Sequence, residues 1–535
     1  MENIALYYHQ RTKHHLNRLA KSLGYLDWEN QPEPFRFYQN TTKIELPLNL
    51  EDPNCIYKAL YKRELCKANP INLNTISKFL ELSLGLSAWK SIPGSQWSLR
   101  INPSSGNLHP TESYLIIPDY DGLKGVYHYN PFLHLLEERA KLTSQISQKI
   151  KDFYETDGFF VTLTSIFWRE AWKYGERAYR YSQLDIGHAI ATMAFSASLQ
   201  GWKVIYLNAV SDKEIEKMLG FDKTVWEEEE KEYPEGLFFI YKNNTNIIPD
   251  IPPNIVNDFS KLEFKGKPNK LSKEHVRWEI IEKVAKFVEK PRTKPKQYKL
   301  SNKPILWLKD SPYTAPQIIK KRRSAVAYDR KTYIEKQTFF HILDKTVPRE
   351  KIPPFDTKIY NPSINLLLYI HRIYDLPTGL YFFFRYEEDK VQIINKTRKE
   401  FLWEKVSDEL ELYLLYTGNF ELTSKIVSCR QDIAGDSSFS LSMISKFSPI
   451  IQKEPWAYRN IHWEAGMIGQ VLYLEAEAHS LRGTGIGCFF DDAIHEVLGL
   501  KDDTYQTIYN FTVGGFLEDS RLRTFPPYYH IKDTR

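Results

Sequence analysis

A weak internal repeat, its elements in the same order on either side of a compositionally distinct middle, constrains the fold more than any other feature of this sequence. The first half has Asn102-Pro103-Ser104-Ser105, an apolar run from Tyr114 to Ile117, and GVYHY from Gly125. The second half has Asn361-Pro362-Ser363, an apolar run from Leu366 to Ile370, and GLYFFF from Gly379. Further on, Ala178-Tyr179-Arg180 leads a helical stretch that ends at Leu199-Gln200-Gly201, and Ala457-Tyr458-Arg459 leads one that ends at Leu481-Arg482-Gly483. Apolar residues recur at helical spacing in both, as Leu184, Ile190, Met193, Ala197 and as Met467, Val471, Leu474, Ala478. Each half then has a Leu-Gly pair, Leu219-Gly220 or Leu498-Gly499, followed by a β-rich stretch, GLFFIY or YQTIYNFTV. One such match is chance, but the shared order argues for duplication. Helices alternating with short aromatic and β-branched strands predict an α+β fold, with a central, mostly antiparallel sheet flanked by helices in each half. Two homologous halves in one chain are the covalent equivalent of a two-fold dimer, so an intrachain pseudo-dimer is expected.

The middle, from about Asn243 to Pro304, is rich in Lys, Asn and Pro and reads as a linker with one amphipathic helix near Val276 to Val288. The expected domains are therefore 1–245 with an N-terminal extension, a linker over 246–304, and 305–535. The linker lysines read as a solvated face rather than a polyanion site. A net charge of +5, from 72 basic and 67 acidic residues, is too weak and too dispersed to imply nucleic acid. Cys55, Cys66, Cys429 and Cys488 are scattered without a CxxC pair. That pattern predicts neither a disulfide framework nor a zinc site, and it fits a reducing compartment. No apolar run approaches the ~20 residues that span a bilayer, and MENIALYYHQRTKHH has no signal-peptide core. A cytoplasmic protein without a membrane partner is expected.

Three stretches stand out as sites. The first runs from Arg100 through Pro103, Ser104, Ser105, Gly106, Asn107 and His109 to Glu112. Two hydroxyls, a glycine and an amide between prolines form a turn dense in donors and acceptors, suited to the polar edge of a flat heteroaromatic ligand. An ordinary β-turn is the competing reading. The second is Lys320-Lys321-Arg322-Arg323-Ser324, placed at the start of a helical segment. Arginine forks and a hydroxyl at a helix N-terminus form a phosphate clamp, although a solvated helix end explains the run equally well. The third pairs GTGIGC, with Gly485, Gly487 and Cys488, with VGGFLEDSRLR, which holds Gly514, Gly515, Arg521 and Arg523. Here glycines let backbone N–H groups face a ligand, and the arginines add charge for a phosphate. The GxG follows a helix rather than opening one, so it is not a dinucleotide fingerprint.

Together PSSGNLHPTE, RRS, GTGIGC and the VGG…R terminus resemble the FMN-binding parts of the nitroreductase superfamily. Within it they are most similar to the SagB/ThcOx-type dehydrogenases, helped by YHQRTKHH and WKYGERAYR. The resemblance implies two fused nitroreductase-like domains and FMN as cofactor. One copy would offer Pro103, Ser104, Ser105 and Asn107, and the other Arg322, Arg323, Ser324, Gly487, Gly514, Arg521 and Arg523. The partner copies have decayed. PSINLLLYIH stands opposite PSSGNLHPTE, Lys62-Arg63-Glu64 opposite Arg322-Arg323-Ser324, and FFIYKN opposite VGGF. A single FMN site between the two domains follows. The resemblance further implies Lys173 and Tyr174 as the catalytic pair; Gln452-Lys453 stand at the matching positions of the second half. A surface lysine beside a core tyrosine is the competing reading. No metal is implied.

The activity implied is two-electron dehydrogenation of the azoline-to-azole type on a modified peptide or small molecule, with hydride passing to flavin N5. An NAD(P)H-dependent nitro or quinone reductase is the alternative within enzymology. A non-catalytic scaffold or binding protein with a degenerate flavin site is the alternative of another class. The sequence is silent on the physiological substrate and on further association of chains.

Overall fold

The computed structural model describes residues 3–242, 246–306 and 311–531, so the expected boundary at residue 245 lies outside the described residues. The chain divides into two compact units. One holds residues 1–21, 299–351 and 360–521, and the other holds 22–298, 352–359 and 522–535. The class is α+β, with one seven-stranded antiparallel sheet per unit.

In the unit built mainly from the first half, six strands follow along the chain as Thr111–Tyr120, Leu123–Asn130, Leu135–Lys141, Gly158–Ser165, Lys203–Tyr206 and Tyr233–Tyr241. They lie side by side as third, second, first, fourth, sixth, fifth. In the other unit the six are Ile364–Ile370, Gly379–Phe383, Leu412–Thr417, Phe439–Lys446, Arg482–Ile486 and Tyr505–Gly514, in the same spatial order. Only the edge strand beside the third differs in origin, coming from Thr42–Glu45 in one unit and Glu404–Lys405 in the other. A six-strand order with two crossovers, repeated without change, is what duplication predicts.

Between the fourth and fifth strands each unit carries a 22-residue helix, Ala178–Leu199 or Ala457–Ala478, buried along its whole length. A helix enclosed on every side must satisfy its polar side chains internally, so Asp185 and Glu464, at the same position of the two helices, need partners within the protein. The Leu-Gly pairs close the helices Asp212–Leu219 and Asp491–Leu498. Gly220 and Gly499 there adopt left-handed φ values of 67° and 79°, the conformation a helix-ending glycine supplies without a Cβ penalty.

Three expectations are corrected. Residues 246–298 are not a linker but part of the first-half unit. Ile247, Ile251, Ile255 and Phe259 are buried in its core with Tyr114, Phe160 and Phe239, and the segment forms two helices, Pro253–Phe259 and Glu279–Phe287. Only Ile255 and Phe259 of these lie on a helix, Ile247 and Ile251 being buried from the non-helical chain before it, so the four show no helical period, and Pro, Asn and Lys dominate a composition average. The ends of the chain are also exchanged relative to the expected domains. The helix Ile4–Arg11, capped by Asn3, belongs with the second-half unit, where Lys13 meets Asp492 at 2.7 Å and the His14 N–H meets Asp491 at 3.0 Å. The strand Arg523–Phe525 joins the first-half unit beside Leu86–Ile92, and the Tyr528 hydroxyl there accepts from the Leu86 N–H at 3.0 Å. Finally, Cys55 and Cys66 are joined as a disulfide across the two short turns Tyr57–Leu60 and Arg63–Leu65, which removes the cysteine-based argument for a reducing compartment. Among the described residues no helix is long and apolar enough to cross a membrane.

Candidate functional site

The turn at 103–107 is the best-built polar feature of the first-half unit. Ser104 Oγ accepts from the His109 N–H at 2.8 Å, and Asn107 donates to the Ser98 carbonyl at 2.9 Å while its Oδ1 lies 2.9 Å from His109 Nε2. Gly106 takes a left-handed φ of 59°, and Asn107 and His109 share that region. Pro103, Ser104 and Ser105 are half-buried and Gly106 is exposed, so the crest of the turn faces outward. Below it the framework is closed. Glu112 holds Arg169 at 2.5 Å and His128 at 3.0 Å, and Arg169 holds its carboxyl at about pKa 2 despite burial.

Lys173 and Tyr174 end the helix Phe167–Tyr174 and reach this crest. A Cβ built on Gly106 would lie 2.6 Å from the Tyr174 hydroxyl and 3.2 Å from Lys173 Nζ. Both the space and the φ thus require glycine. Gly106→Ala is expected to cost about 1–2 kcal/mol from the left-handed backbone alone, read by urea denaturation, with further loss from displacing Tyr174.

Sequence reasoning missed two carboxyls under the same turn. Asp185 accepts from the Ser105 N–H at 3.1 Å, and Glu170 Oε1 lies 3.4 Å from Ser104 Oγ. Both are fully buried, and Glu170 Oε2 and Asp185 Oδ2 have no hydrogen-bond partner among the described residues. Burial raises both: Asp185 to about 7, and Glu170 well above the carboxylate range, helped by the charge of Asp185. Glu170, the more strongly raised of the two, is the carboxyl that keeps its proton when Asp185 ionises. The equivalent turn of the other unit is a control. There Ser363 is held by Glu464 at 2.9 Å, but Glu464 pairs with Arg385 at 2.6 Å. The decayed copy thus neutralises its carboxylate with a cation, whereas the intact copy faces a second acid. A strained pair of this kind beside a lysine is characteristic of functional sites. The available signal was Glu170 one helical turn before Lys173, with Asp185 at the matching position of Glu464.

In the second-half unit, Ser324 bridges to Gly483 of the strand Arg482–Ile486. The Tyr473 hydroxyl ties the two together, 2.9 Å from Ser324 Oγ and accepting from the Gly485 N–H at 3.0 Å. Arg322 lies over the Tyr473 ring at 5.1 Å. Burial, together with the charges of Arg322 and Arg482, lowers the Arg323 guanidinium to about 10. Arg482 and Tyr473 were not foreseen. Three arginines crowded this closely, with Glu477 among them and Glu518 paired to Arg482 at 2.6 Å, leave a locally positive site.

Several expected site residues stand elsewhere. The Arg-Arg-Ser run follows the C-terminal end of the helix Ala315–Lys321, not an N-terminus, because the Thr314/Gln317 capping box starts that helix earlier; the dipole contribution to an anion clamp therefore lapses. Arg100 is buried and donates to the Thr111 and Pro34 carbonyls, holding the framework. Gly485, Gly514 and Gly515 are glycines because a Cβ would strike Tyr509, the Ser438 backbone and Thr332 of their own unit. Gly487 is half-buried just beyond that strand. Arg521 is exposed and paired with Asp519, and Arg523 stands on the strand beside Ser91 in the other unit. Cys488 packs against Cys429. A cavity of about 480 Å³ opens at the decayed turn, beside Asn361, Pro362 and Arg385.

Comparison with known proteins bears on both units. A Methanocaldococcus jannaschii protein, MJ1384, provisionally named a nitroreductase, is 26% identical over 204 residues, 36% of this chain and 93% of its own. The solved structure of an Anabaena variabilis protein, also provisionally named a nitroreductase, aligns with 97% of this chain and 100% of its own at 21% identity, with a TM-score of 0.68. The duplicated fold is therefore shared nearly end to end. Residues 66–228, which include the turn, Lys173 and the carboxyl pair, match the model of the nitroreductase family, and the chain carries a nitroreductase-family domain there.

Proposed function

We propose that the protein is an FMN-dependent oxidoreductase that binds one FMN per chain. The observation that carries this reading is the outward crest at Gly106, with Lys173 and Tyr174 converging on it and Ser104, Ser105 and Asn107 locked beneath. The donor set fits the group: Lys173 Nζ and the Tyr174 hydroxyl at the exposed Gly106 crest suit the polar edge of an isoalloxazine, and the Arg322, Arg323, Ser324 cluster suits a phosphate. Each motif is intact in only one unit, which supports a stoichiometry of one. The names of the similar proteins support redox chemistry in general.

FMN, when bound, supplies the two-electron acceptor or donor. The chain's part is to orient it and to manage protons. Lys173 Nζ and the Tyr174 hydroxyl are placed to take or give a proton at the crest. Glu170 stands one turn back on the same helix as an acidic neighbour of Lys173, and Asp185 comes to it from the helix Ala178–Leu199. Desolvated groups of this kind act as general acids and bases near neutral pH. We favour dehydrogenation of an azoline in a modified peptide, on the likeness of WKYGERAYR to the SagB/ThcOx type. Nitro or quinone reduction with NAD(P)H is the second reading, favoured by the names of the similar proteins.

Absorbance of purified protein titrated with FMN tests the proposal: one equivalent supports it, two refute the single site, and none leaves a non-catalytic protein. Anaerobic bleaching by NADPH supports the reductase, and bleaching by an azoline peptide alone the dehydrogenase. Lys173→Met and Tyr174→Phe are expected to keep FMN bound while lowering turnover about 10²–10⁴-fold, measured with whichever substrate bleaches the flavin.

A further inference from the structure

Cys429 and Cys488 lie with their sulfurs in contact, at 2.6 Å, on two segments that other bonds already hold in register. The Phe490 N–H donates to the Val427 carbonyl at 2.8 Å, and the Gln431 side chain donates to the Cys488 carbonyl at 3.1 Å and to the Ser428 carbonyl at 2.9 Å. Asn510, on the neighbouring strand, donates to Ser428 Oγ at 3.1 Å. The backbone framework thus presents the two thiols to each other without needing a bond between them. Cys429 and Arg430 both adopt left-handed φ values, 53° and 59°, so the loop after the helix Glu421–Val427 is bent to bring Cys429 over Cys488. Both cysteines are half-buried, open to a small reagent, and neither belongs to the Cys55–Cys66 disulfide.

We propose that Cys429 and Cys488 form a reversible thiol–disulfide couple, a site of exchange with low-molecular-weight disulfides. The thiolate of one cysteine attacks a sulfur of the small disulfide, breaking its S–S bond and releasing one small thiolate. The second cysteine then attacks the resulting mixed disulfide, forming the Cys429–Cys488 bond and releasing the other small thiolate. The two cysteine protons pass to the released thiolates, and the two electrons lost by the cysteines are gained by the small disulfide. The bond would tie the loop at 428–431 to the end of the strand Arg482–Ile486, the strand that carries the Ser324 bridge. The inference does not depend on flavin binding.

The test uses the full chain, first reduced, then equilibrated over a series of oxidised to reduced glutathione ratios, alkylated, and digested without reduction for mass spectrometry. A linked Cys429–Cys488 peptide that rises with the ratio and is lost again in excess dithiothreitol is the expected result. Cys429→Ser is expected to trap glutathione on Cys488 as a stable mixed disulfide, while the wild type gathers little of it. Cysteines that stay separately alkylated or separately glutathionylated while Cys55–Cys66 is linked would overturn the proposal. A linkage that dithiothreitol cannot break in the folded protein would do so as well.

Discussion

Asp185→Asn should make the protein more stable at neutral and alkaline pH while impairing whatever reaction the turn supports. Burial holds the folded Asp185 carboxyl protonated up to about pH 7, whereas the unfolded carboxyl ionises near 3.8. Between those values the folded state binds the extra proton, so stability is greatest below the lower value and falls as pH rises through the upper one. The penalty above pH 7 amounts to roughly 4 kcal/mol for this group. Asparagine keeps an oxygen for the Ser105 N–H but cannot ionise, so the slope should flatten. Melting curves from pH 5 to pH 8 check this: the wild type should lose several degrees relative to the variant across that interval. Parallel curves would mean that the pair does not hold its proton as inferred. A variant that gains stability and loses turnover is what a site kept strained for function produces.

The second large effect concerns the arginine cluster. Burial first, and then the charges of Arg322 and Arg482, lower Arg323 to about 10, and a bound dianion would relieve the repulsive part of that crowding. Arg323→Gln should weaken FMN binding by about 10- to 100-fold, the loss of one charge-assisted hydrogen bond of about 1.5–3 kcal/mol. Riboflavin, which lacks the phosphate, is the control. Its affinity should change little, so the preference for FMN over riboflavin should collapse. Equal losses for both ligands would place Arg323 in the framework, through its bonds to the Lys320 and Arg322 carbonyls, and not at a phosphate. The apoprotein should be no less stable than the wild type, since one of three crowded charges is gone.

That both halves share one α+β architecture was legible because a repeat survives sequence divergence as order rather than identity, whereas the strand order within each sheet was not. The turn was legible because Pro, Gly and Ser at fixed places are punctuation that composition does not blur. Glu170 and Asp185 were not, since a buried carboxyl in a helix looks like any other until the neighbour that neutralises it is found or found missing. Arg385, which plays that part for Glu464, lies far away in sequence. The Arg-Arg-Ser run was misplaced on its helix because the capping box at Thr314 starts the helix about two turns before Arg322, leaving the run at its C-terminal end. Gly485, Gly514 and Gly515 read as ligand glycines in the sequence, and the structure adds that their own unit leaves no room for a Cβ there. The exchanged ends were invisible, because nothing in Ile4–Arg11 or Arg523–Phe525 names the sheet or helix it will meet.

That exchange sets a schedule for biosynthesis. Translation of 535 residues takes roughly half a minute to two minutes. The segment 1–21 emerges first, yet the unit it completes is built from residues made in the second half of that interval. The first-half unit is nearly whole by the time its own half is made, but it lacks the strand Arg523–Phe525 beside Leu86–Ile92 and the Tyr528 anchor until those later residues are made. Neither unit can close before the other is largely made. A ribosome stalled at the midpoint would therefore carry two unfinished domains rather than one finished and one absent.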